Sequence, residues 1–263
     1  MTGIERLTRC FESGGGIRLM AHAVCGYPDQ RESRRILSAM VAAGADIIEA
    51  QLPFSDPSAD GPTIVEANHA ALRARSSTAA CLEALEALRR ETEAPILVMS
   101  YLNPILAYGA EAMAERCARS GLDGFIVPDY PDDESEPPLA ELCAGAGLAL
   151  VPLIAPTTSL ERAWRLASSS ASPLLYVVLR LGVTGRRTEL DEASLDRLSA
   201  LRERTGKRLA AGFGLKEKSQ IEALEGRADC AIVGSALVDA VRQAIEEGSD
   251  PAESVGRRIA SLR

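Results

Sequence analysis

Two carboxylates stand at and just beyond the end of one apolar segment. Glu49 interrupts the apolar run at residues 45–52, where a buried parallel strand normally keeps an apolar side chain. Asp60 follows in a proline-rich stretch that is too broken to be helix or strand. A buried carboxyl group tends to have a raised pKa, whereas one in a polar loop tends to stay ionised, so the pair suits acid and base roles. A structural alternative is a buried Glu bonded to backbone and an Asp that caps the helix starting near Gly61.

Glycine-containing turns form a second set of residues that could bind a ligand. They occur at residues 182–185 (Gly-Val-Thr-Gly), 212–214 (Gly-Phe-Gly) and 234–235 (Gly-Ser). Backbone amides in such turns and at helix N-termini bind phosphate without a lysine. Turn geometry alone can also require glycine. Because the turns follow successive predicted strands, we favour phosphate binding.

Strand-like and helix-like segments alternate along the chain and must position these groups. The predicted strands are residues 17–25, 45–52, 95–101, 124–127, 149–154, 174–179, 207–211 and 228–233. Eight strand–helix units of about 33 residues each fit a single (β/α)8 TIM barrel, here spanning residues 1–263 as one domain with an extra N-terminal helix at 4–11. A doubly wound sheet is disfavoured because no glycine-rich fingerprint follows the first strand. In such barrels the chemistry lies at the C-terminal ends of the strands, near Glu49 and the glycine turns.

Composition excludes several classes of function. The formal charge of −8 disfavours nucleic acid or an anionic membrane as the main partner. No apolar run approaches the ~20 residues that span a bilayer, and no signal peptide is evident, so we expect a cytoplasmic protein. Six dispersed cysteines without a C-x-x-C spacing indicate reduced thiols. Only three lysines, none at a strand end, disfavour a Schiff-base aldolase, and two histidines are too few for a typical zinc aldolase.

A phosphate site beside two carboxyl groups suits proton transfer on a small organic phosphate. The motifs that carry a family resemblance are Gly26-Tyr27-Pro28, Pro53-Phe54-Ser55-Asp56-Pro57, Ala59-Asp60-Gly61-Pro62, Asn103-Pro104, Pro128-Asp129-Tyr130-Pro131, Ala155-Pro156-Thr157-Thr158 and the three glycine turns. In this order they resemble the tryptophan synthase α chain family. The resemblance implies retro-aldol cleavage of indole-3-glycerol phosphate to indole and glyceraldehyde 3-phosphate, with no cofactor and no metal on this chain.

The resemblance also implies roles for individual residues. Glu49 would be the general acid and base, Asp60 would hold the indole N–H, and Tyr176 would assist Glu49. Thr184 would belong to a mobile loop that closes over the substrate. The implied phosphate-binding residues are Gly185, Gly214, Gly234 and Ser235. The implied indole pocket consists of His22, Gln51, Tyr101, Ile154 and Phe213.

Several positions depart from the family pattern at the indole end of the site. Gln51 stands where the family usually has glycine, on the same strand face as Glu49, and His22 stands where an aromatic residue is usual. Leu179 and Leu181 replace serines, and Cys230 replaces a glycine. We interpret His22 as a packing residue in preference to a third titrating group. These changes raise the alternative of a free-standing lyase of specialised metabolism, or of an enzyme for a modified substrate.

The family resemblance implies a partner as well. An α chain typically docks on a pyridoxal-phosphate-dependent β chain in an α2β2 heterotetramer, here through residues 56–58. Ser58 replaces the usual leucine, which is expected to weaken docking. A non-catalytic α-like regulatory subunit would keep the glycines and lose the acids. A phosphoribosyl anthranilate isomerase would need a Cys-Asp pair, for which Cys25 alone is weak support.

Overall fold

The computed structural model describes residues 1–12, 15–130, 138–179, 191–212 and 214–263. Its parallel strands are β1 Arg18–Val24, β2 Ile47–Gln51, β3 Ile96–Met99, β4 Gly124–Ile126, β5 Ala149–Leu150, β6 Leu153–Ile154, β7 Leu174–Val178, β8 Arg208–Gly212 and β9 Cys230–Val233. The helices within these ranges are α1 Gly3–Cys10, α2 Gln30–Ala42, α3 Pro62–Arg73, α4 Thr78–Arg89, α5 Leu102–Tyr108, α6 Ala110–Arg119, α7 Leu139–Gly145, α8 Leu160–Ser169, α9 Glu192–Thr205, α10 Lys218–Glu222, α11 Ser235–Glu247 and α12 Pro251–Ala260. None of them combines the length and apolar composition needed to cross a bilayer.

The strands close into a ring. The sheet order is β5-β4-β3-β2-β1-β9-β8-β7-β6, and its two end strands are separated in sequence only by Val151 and Pro152. Strand β5 pairs with β4, whereas β6 pairs with β7, so the two short strands together form one stave. Proline has no N–H to donate to a ladder, which accounts for the break inside the predicted strand 149–154. The predicted (β/α)8 barrel is confirmed.

Side chains alternate between the barrel interior and the helical layer. Along β2, Ile47 belongs to the interior cluster, whereas Ile48 and Ala50 pack in the outer cluster beneath the helices. This alternation turns Glu49 and Gln51 inward, as the sequence predicts. Both are buried, at 3% and 0% exposure.

Helix α1, the predicted N-terminal helix, covers the end of the barrel opposite the loops that follow the strands. Its Leu7 is fully buried in the interior cluster. A Cβ at Gly3 would lie 2.4 Å from the carbonyl oxygen of Asp123, so only glycine permits this close packing. Arg6 Nη1 donates to Asp123 Oδ1 over 2.5 Å and fixes the helix in place.

Two local features differ from the sequence-based expectation. The apolar pattern predicts a helix over residues 34–43, but helix α2 begins at Gln30, because the Asp29 side chain accepts hydrogen bonds from the amides of Arg31 and Glu32. Helix α5 was not predicted. Its first amide, at Leu102, donates to a side-chain oxygen of Asp129, a residue distant in the sequence.

Candidate active site

A cavity of about 190 Å³ opens at the C-terminal ends of the strands. Its polar and glycine lining consists of His22, Glu49, Asp60, Tyr176, Gly214, Gly234 and Ser235. Its apolar wall consists of Ala59, Ile64, Met99, Ile126, Pro128, Leu153, Val178 and Ile232. The cavity therefore brings together both predicted carboxylates and three of the predicted phosphate-binding residues. The other predicted site residues Thr184, Gly185 and Phe213 lie outside the described residues.

Glu49 lies in β2 beside His22 of β1. The register of the two strands pairs these residues directly. His22 Nδ1 lies 3.3 Å from Glu49 Oε2, and both side chains are almost completely buried. Because backbone pairing fixes both strands, the carboxyl group and the imidazole are held side by side at the cavity wall.

Asp60 is held by two side chains that the sequence analysis assigned to the indole pocket. Gln51 Nε2 donates to Asp60 Oδ2 over 2.7 Å, and the Tyr101 hydroxyl donates to the same oxygen over 3.0 Å. The Tyr101 oxygen in turn accepts a hydrogen bond from the Ala59 amide at 3.0 Å. Neither Gln51 nor Tyr101 is among the described residues that line the cavity. Their observed contacts position Asp60, in place of the predicted direct lining of the pocket.

The environment of Asp60 differs from the expected polar loop. The loop folds back over the strand end and leaves this side chain only 8% exposed. Burial raises the pKa of Asp60, the charge of Glu49 adds to the rise, and His22, Gln51 and Tyr101 oppose it. The hydrogen bonds expected around Asp60 are present, but burial acts on the side chain as well, which a polar loop does not by itself imply.

Tyr176 extends from β7 into the same cavity, opposite β2 in the ring. Burial raises its pKa well above the usual value, and the charges of Glu49 and Asp60 add to this rise. The phenol therefore stays protonated and can donate a hydrogen bond near neutral pH.

The pKa of His22 reflects opposing effects. Burial alone lowers it, because an imidazolium loses its hydration. The charges of Glu49 and Asp60 raise it, the polar side chains of Glu49 and Gln51 nearby add to the rise, and the net shift is upward.

Some buried polar atoms of the site have no hydrogen-bond partner within the described part of the chain. They are His22 Nε2, Gln51 Oε1 and Glu49 Oε2, whose 3.3 Å approach to His22 Nδ1 is within ion-pair distance but is not a hydrogen bond. Native proteins pair nearly all such atoms, so unpaired ones in a cavity wall indicate where a ligand's polar groups bind. His22 and Glu49 both line the cavity.

The glycine turns line the same cavity as the carboxylates. Gly214 has a φ of +91°, a conformation that L side chains rarely adopt. Gly234 caps helix α11, whose thirteen residues begin with Ser235, so the first amides of this helix face the cavity. A helix N-terminus of this kind is suited to an anion.

The prediction that Ile154 lines the pocket is wrong. It packs in the outer cluster with Val177, whereas its neighbour Leu153 lines the cavity beside Tyr176. Because successive side chains of a strand point to opposite faces, the inward position in this stave is 153. The cavity is also lined by apolar residues at the ends of β3, β4 and β9 that were not predicted: Met99, Ile126 and Ile232. Strand alternation was the signal that would have found them.

Metal binding finds no support in the described ranges, where no group of three or more His, Cys, Asp or Glu residues is arranged to hold an ion. The described lining also contains no lysine or arginine. The buried acids, the phenol and the helix N-terminus therefore carry the chemistry that this part of the cavity offers.

The fold and the site define a (β/α)8 barrel with buried acids and a helix N-terminus in one cavity at the C-terminal ends of its strands. Residues 13–260 match the family model described as "Tryptophan synthase alpha chain". The chain belongs to this family, whose members are lyases that cleave indole-3-glycerol phosphate.

Individual relatives agree with this assignment over nearly the whole chain. A tryptophan synthase alpha chain from Syntrophotalea carbinolica is 40% identical over 247 residues, covering 94% of each chain. A chain of Mycobacterium tuberculosis tryptophan synthase superposes with a TM-score of 0.88 at 31% identity, covering 98% of this chain and 96% of that chain. A chain from the tryptophan synthase a2b2 complex of Pyrococcus furiosus has a TM-score of 0.84 at 30% identity and covers 93% and 97%.

Proposed function

We propose that this chain is the α subunit of a tryptophan synthase and cleaves indole-3-glycerol phosphate to indole and glyceraldehyde 3-phosphate. One observation carries the proposal. Glu49 and Asp60 share a cavity with the Gly214 turn and the N-terminus of helix α11 at Gly234. The cavity thus combines two acids with a helix N-terminus suited to an anion, which matches a substrate with an aromatic ring and a phosphate tail.

Glu49 is the group we assign to both proton transfers. The acid donates a proton to ring carbon C3, which makes the ring cationic. The resulting carboxylate then takes the proton of the side-chain hydroxyl on the carbon attached to C3. As the C–C bond breaks, its electron pair returns to the ring and the hydroxyl carbon becomes the aldehyde. One proton enters and one leaves, so a single carboxyl group restores itself in each turnover.

Asp60 is assigned to the indole nitrogen. The bonds from Gln51 and Tyr101 both end on its Oδ2, so we assign Oδ1 to the indole N–H. An anion at this place stabilises the positive charge that develops on the ring after protonation. Two donors on one oxygen fix the carboxyl plane before the substrate binds.

The phosphate is assigned to the glycine end. Amides of Gly234 and Ser235 at the start of helix α11 donate to its oxygens, and the helix dipole favours its charge. Gly214 brings the preceding turn close to the same space.

A β chain is the partner that we propose, supported by the relative from Pyrococcus furiosus that comes from an a2b2 complex. The proposed contact is the loop after β2, where Asp56 and Ser58 are exposed and Pro57 is buried. A short polar side chain at position 58 offers little apolar area, so docking is expected to be weaker than with a leucine there.

The test is indole release from indole-3-glycerol phosphate by the purified chain, with and without an added tryptophan synthase β chain. We expect indole and glyceraldehyde 3-phosphate in equal amounts and a faster rate with the β chain. The matched variant Glu49→Gln should lower the rate by at least about 10²- to 10⁴-fold, because the amide cannot exchange a proton. Fast release that the β chain leaves unchanged would favour the free-standing lyase. No release in either condition would reject the lyase assignment.

A further inference from the structure

His22 lies between the reacting carboxyl group and the phosphate end of the cavity. Its Nδ1 is 3.3 Å from Glu49 Oε2. On the other side, a Cβ placed on Gly234 would lie 3.6 Å from the Cβ and 3.7 Å from the Cγ of His22. The imidazole therefore borders both ends of the site.

His22 is also the only basic side chain among the described lining residues. A phosphorylated ligand would bring its negative charge into a buried cavity that already holds Glu49 and Asp60. Buried like charges are costly unless a cation or hydrogen-bond donors compensate them. The Nε2 atom of His22 has no partner among the described residues, and the side chain is only 4% exposed.

Two carboxyl groups and two tyrosine phenols surround His22. Glu49 projects from β2 and Asp60 from the loop after it, and Tyr176 projects from β7. Tyr27 lines a small void on the far side of His22, near Ser33 of helix α2 and the apolar face of helix α11. The carboxyl groups favour the imidazolium, and neither phenol opposes it near neutral pH because both tyrosines have raised pKa values.

We propose that His22 is an imidazolium that contacts Glu49 through Nδ1, whether that carboxyl group is ionised or protonated, and donates from Nε2 to the phosphoglycerol part of the substrate. The identity of that ligand rests on the proposed function. The role differs from packing, because a neutral filler in this position requires neither the short contact to Glu49 nor a free nitrogen at the cavity wall. It also supplies the positive charge that the rest of the described lining lacks.

Nitrogen-15 NMR tests this directly, because the chain has only two histidines. The other one, His69, is removed by His69→Gln; its Nε2 lies 3.0 Å from the carbonyl oxygen of Ser55, outside the cavity lining. The remaining imidazole signal reports the protonation of His22. We expect both ring nitrogens to stay protonated at pH values above the ordinary histidine pKa of about 6.5. Glycerol 3-phosphate, the probe, should raise this pKa further and shift the Nε2 resonance.

A His22 that is neutral at pH 6.5 and unaffected by the probe would overturn the proposal. A raised pKa without any response to glycerol 3-phosphate would overturn it too, because the phosphoglycerol contact would be absent. This readout does not depend on turnover. A chain that fails to release indole but passes the NMR test would refute the proposed function and leave the His22 site intact.

Kinetics provide the second readout. His22→Phe keeps a ring of similar size, and we expect it to raise the KM for indole-3-glycerol phosphate by roughly 10- to 100-fold, the value of a charge-assisted hydrogen bond. In the unsubstituted chain KM should rise as pH rises through the His22 pKa, since the imidazolium is lost. His22→Gln, which keeps a donor without a titration, should recover part of the KM and lose this pH dependence. A His22→Phe variant with unchanged KM and pH profile would refute the role.

Discussion

Asp60 is a side chain whose folded environment opposes its charge. It is nearly buried, and burial raises its pKa above the ordinary 3.8. Between 3.8 and the raised value, the folded state binds more protons than the unfolded state. Folding stability therefore falls as pH rises through this window, and the loss is complete above the folded pKa. At neutral pH the ionised Asp60 costs stability, which we attribute to its function.

Asp60→Asn should therefore separate activity from stability. Asparagine keeps an oxygen for Gln51 and Tyr101 but carries no charge. We expect indole release to fall by at least about 10²-fold, and the free energy of unfolding at pH 7 to rise by roughly 0.5–2 kcal/mol. The stability difference should shrink as pH falls from the raised pKa towards 3.8, because the folded state takes up the proton before the unfolded state does.

Urea unfolding at several pH values measures this difference. Asp56→Asn, an exposed position of the same loop, is the control and should change stability by less than about 0.5 kcal/mol. A clear loss of stability for Asp60→Asn at pH 7 would show that the charge of Asp60 is well compensated and that our account of its environment is wrong.

At this scale the sequence predicts residue types better than contacts. A carboxylate inside an apolar strand and a second one in a proline-rich loop mark Glu49 and Asp60 without any coordinates. The hydrogen bonds from Gln51 and Tyr101 to Asp60 were not predicted, because they depend on how the loop folds back over two strands. The roles of these residues in catalysis stay predictions.

At the scale of elements, helix α1 depends on one buried carboxyl group at the base of the barrel. The Asp123 side chain is completely buried and accepts hydrogen bonds from the Ile96 amide at 2.7 Å, from Arg6 at 2.5 Å and from Arg89 at 3.2 Å. Burial raises the pKa of Asp123, and the hydrogen bond from Ile96 and the arginines oppose the rise. The helix thus supplies one of two cations that a buried anion requires.

Arg6→Ala should weaken the fold as a whole. Arg89 remains, so we expect the free energy of unfolding to fall by about 1–3 kcal/mol, less than for a buried charge left entirely unpaired. Urea unfolding followed by circular dichroism measures it, with Arg9→Ala on the exposed face of the same helix as control. Equal effects of the two substitutions would contradict the view that α1 is anchored through Asp123.

The alternation of strands and helices was predictable because each strand–helix unit repeats the same apolar pattern. Two details were not. The short helix α5 begins at an amide bonded to Asp129, a contact that no local pattern contains. The break between β5 and β6 follows from Pro152. That β5 then pairs with β4 and β6 with β7 becomes evident only when the ring closes.

At the scale of the whole molecule, the site is a product of ring closure. The cavity takes His22 from β1, Glu49 from β2, Tyr176 from β7 and Gly234 from the turn after β9, residues that are far apart in the chain. The sequence predicts that they share one edge of the barrel, since parallel strands place their C-terminal ends together. The depth of the cavity and the pairing of His22 with Glu49 required the register of neighbouring strands.

If Glu49 moves both protons, the side chain at position 49 must face the reacting ring carbon while the phosphate is held at the glycine end. A crystal structure of the Glu49→Gln variant with unreacted indole-3-glycerol phosphate tests it most directly. We predict phosphate oxygens bonded to the amides of Gly234 and Ser235, with ring carbon C3 within roughly 3–3.5 Å of the substituted side chain. A phosphate bound elsewhere, or a ring turned away from position 49 towards the outer helices, would contradict the account.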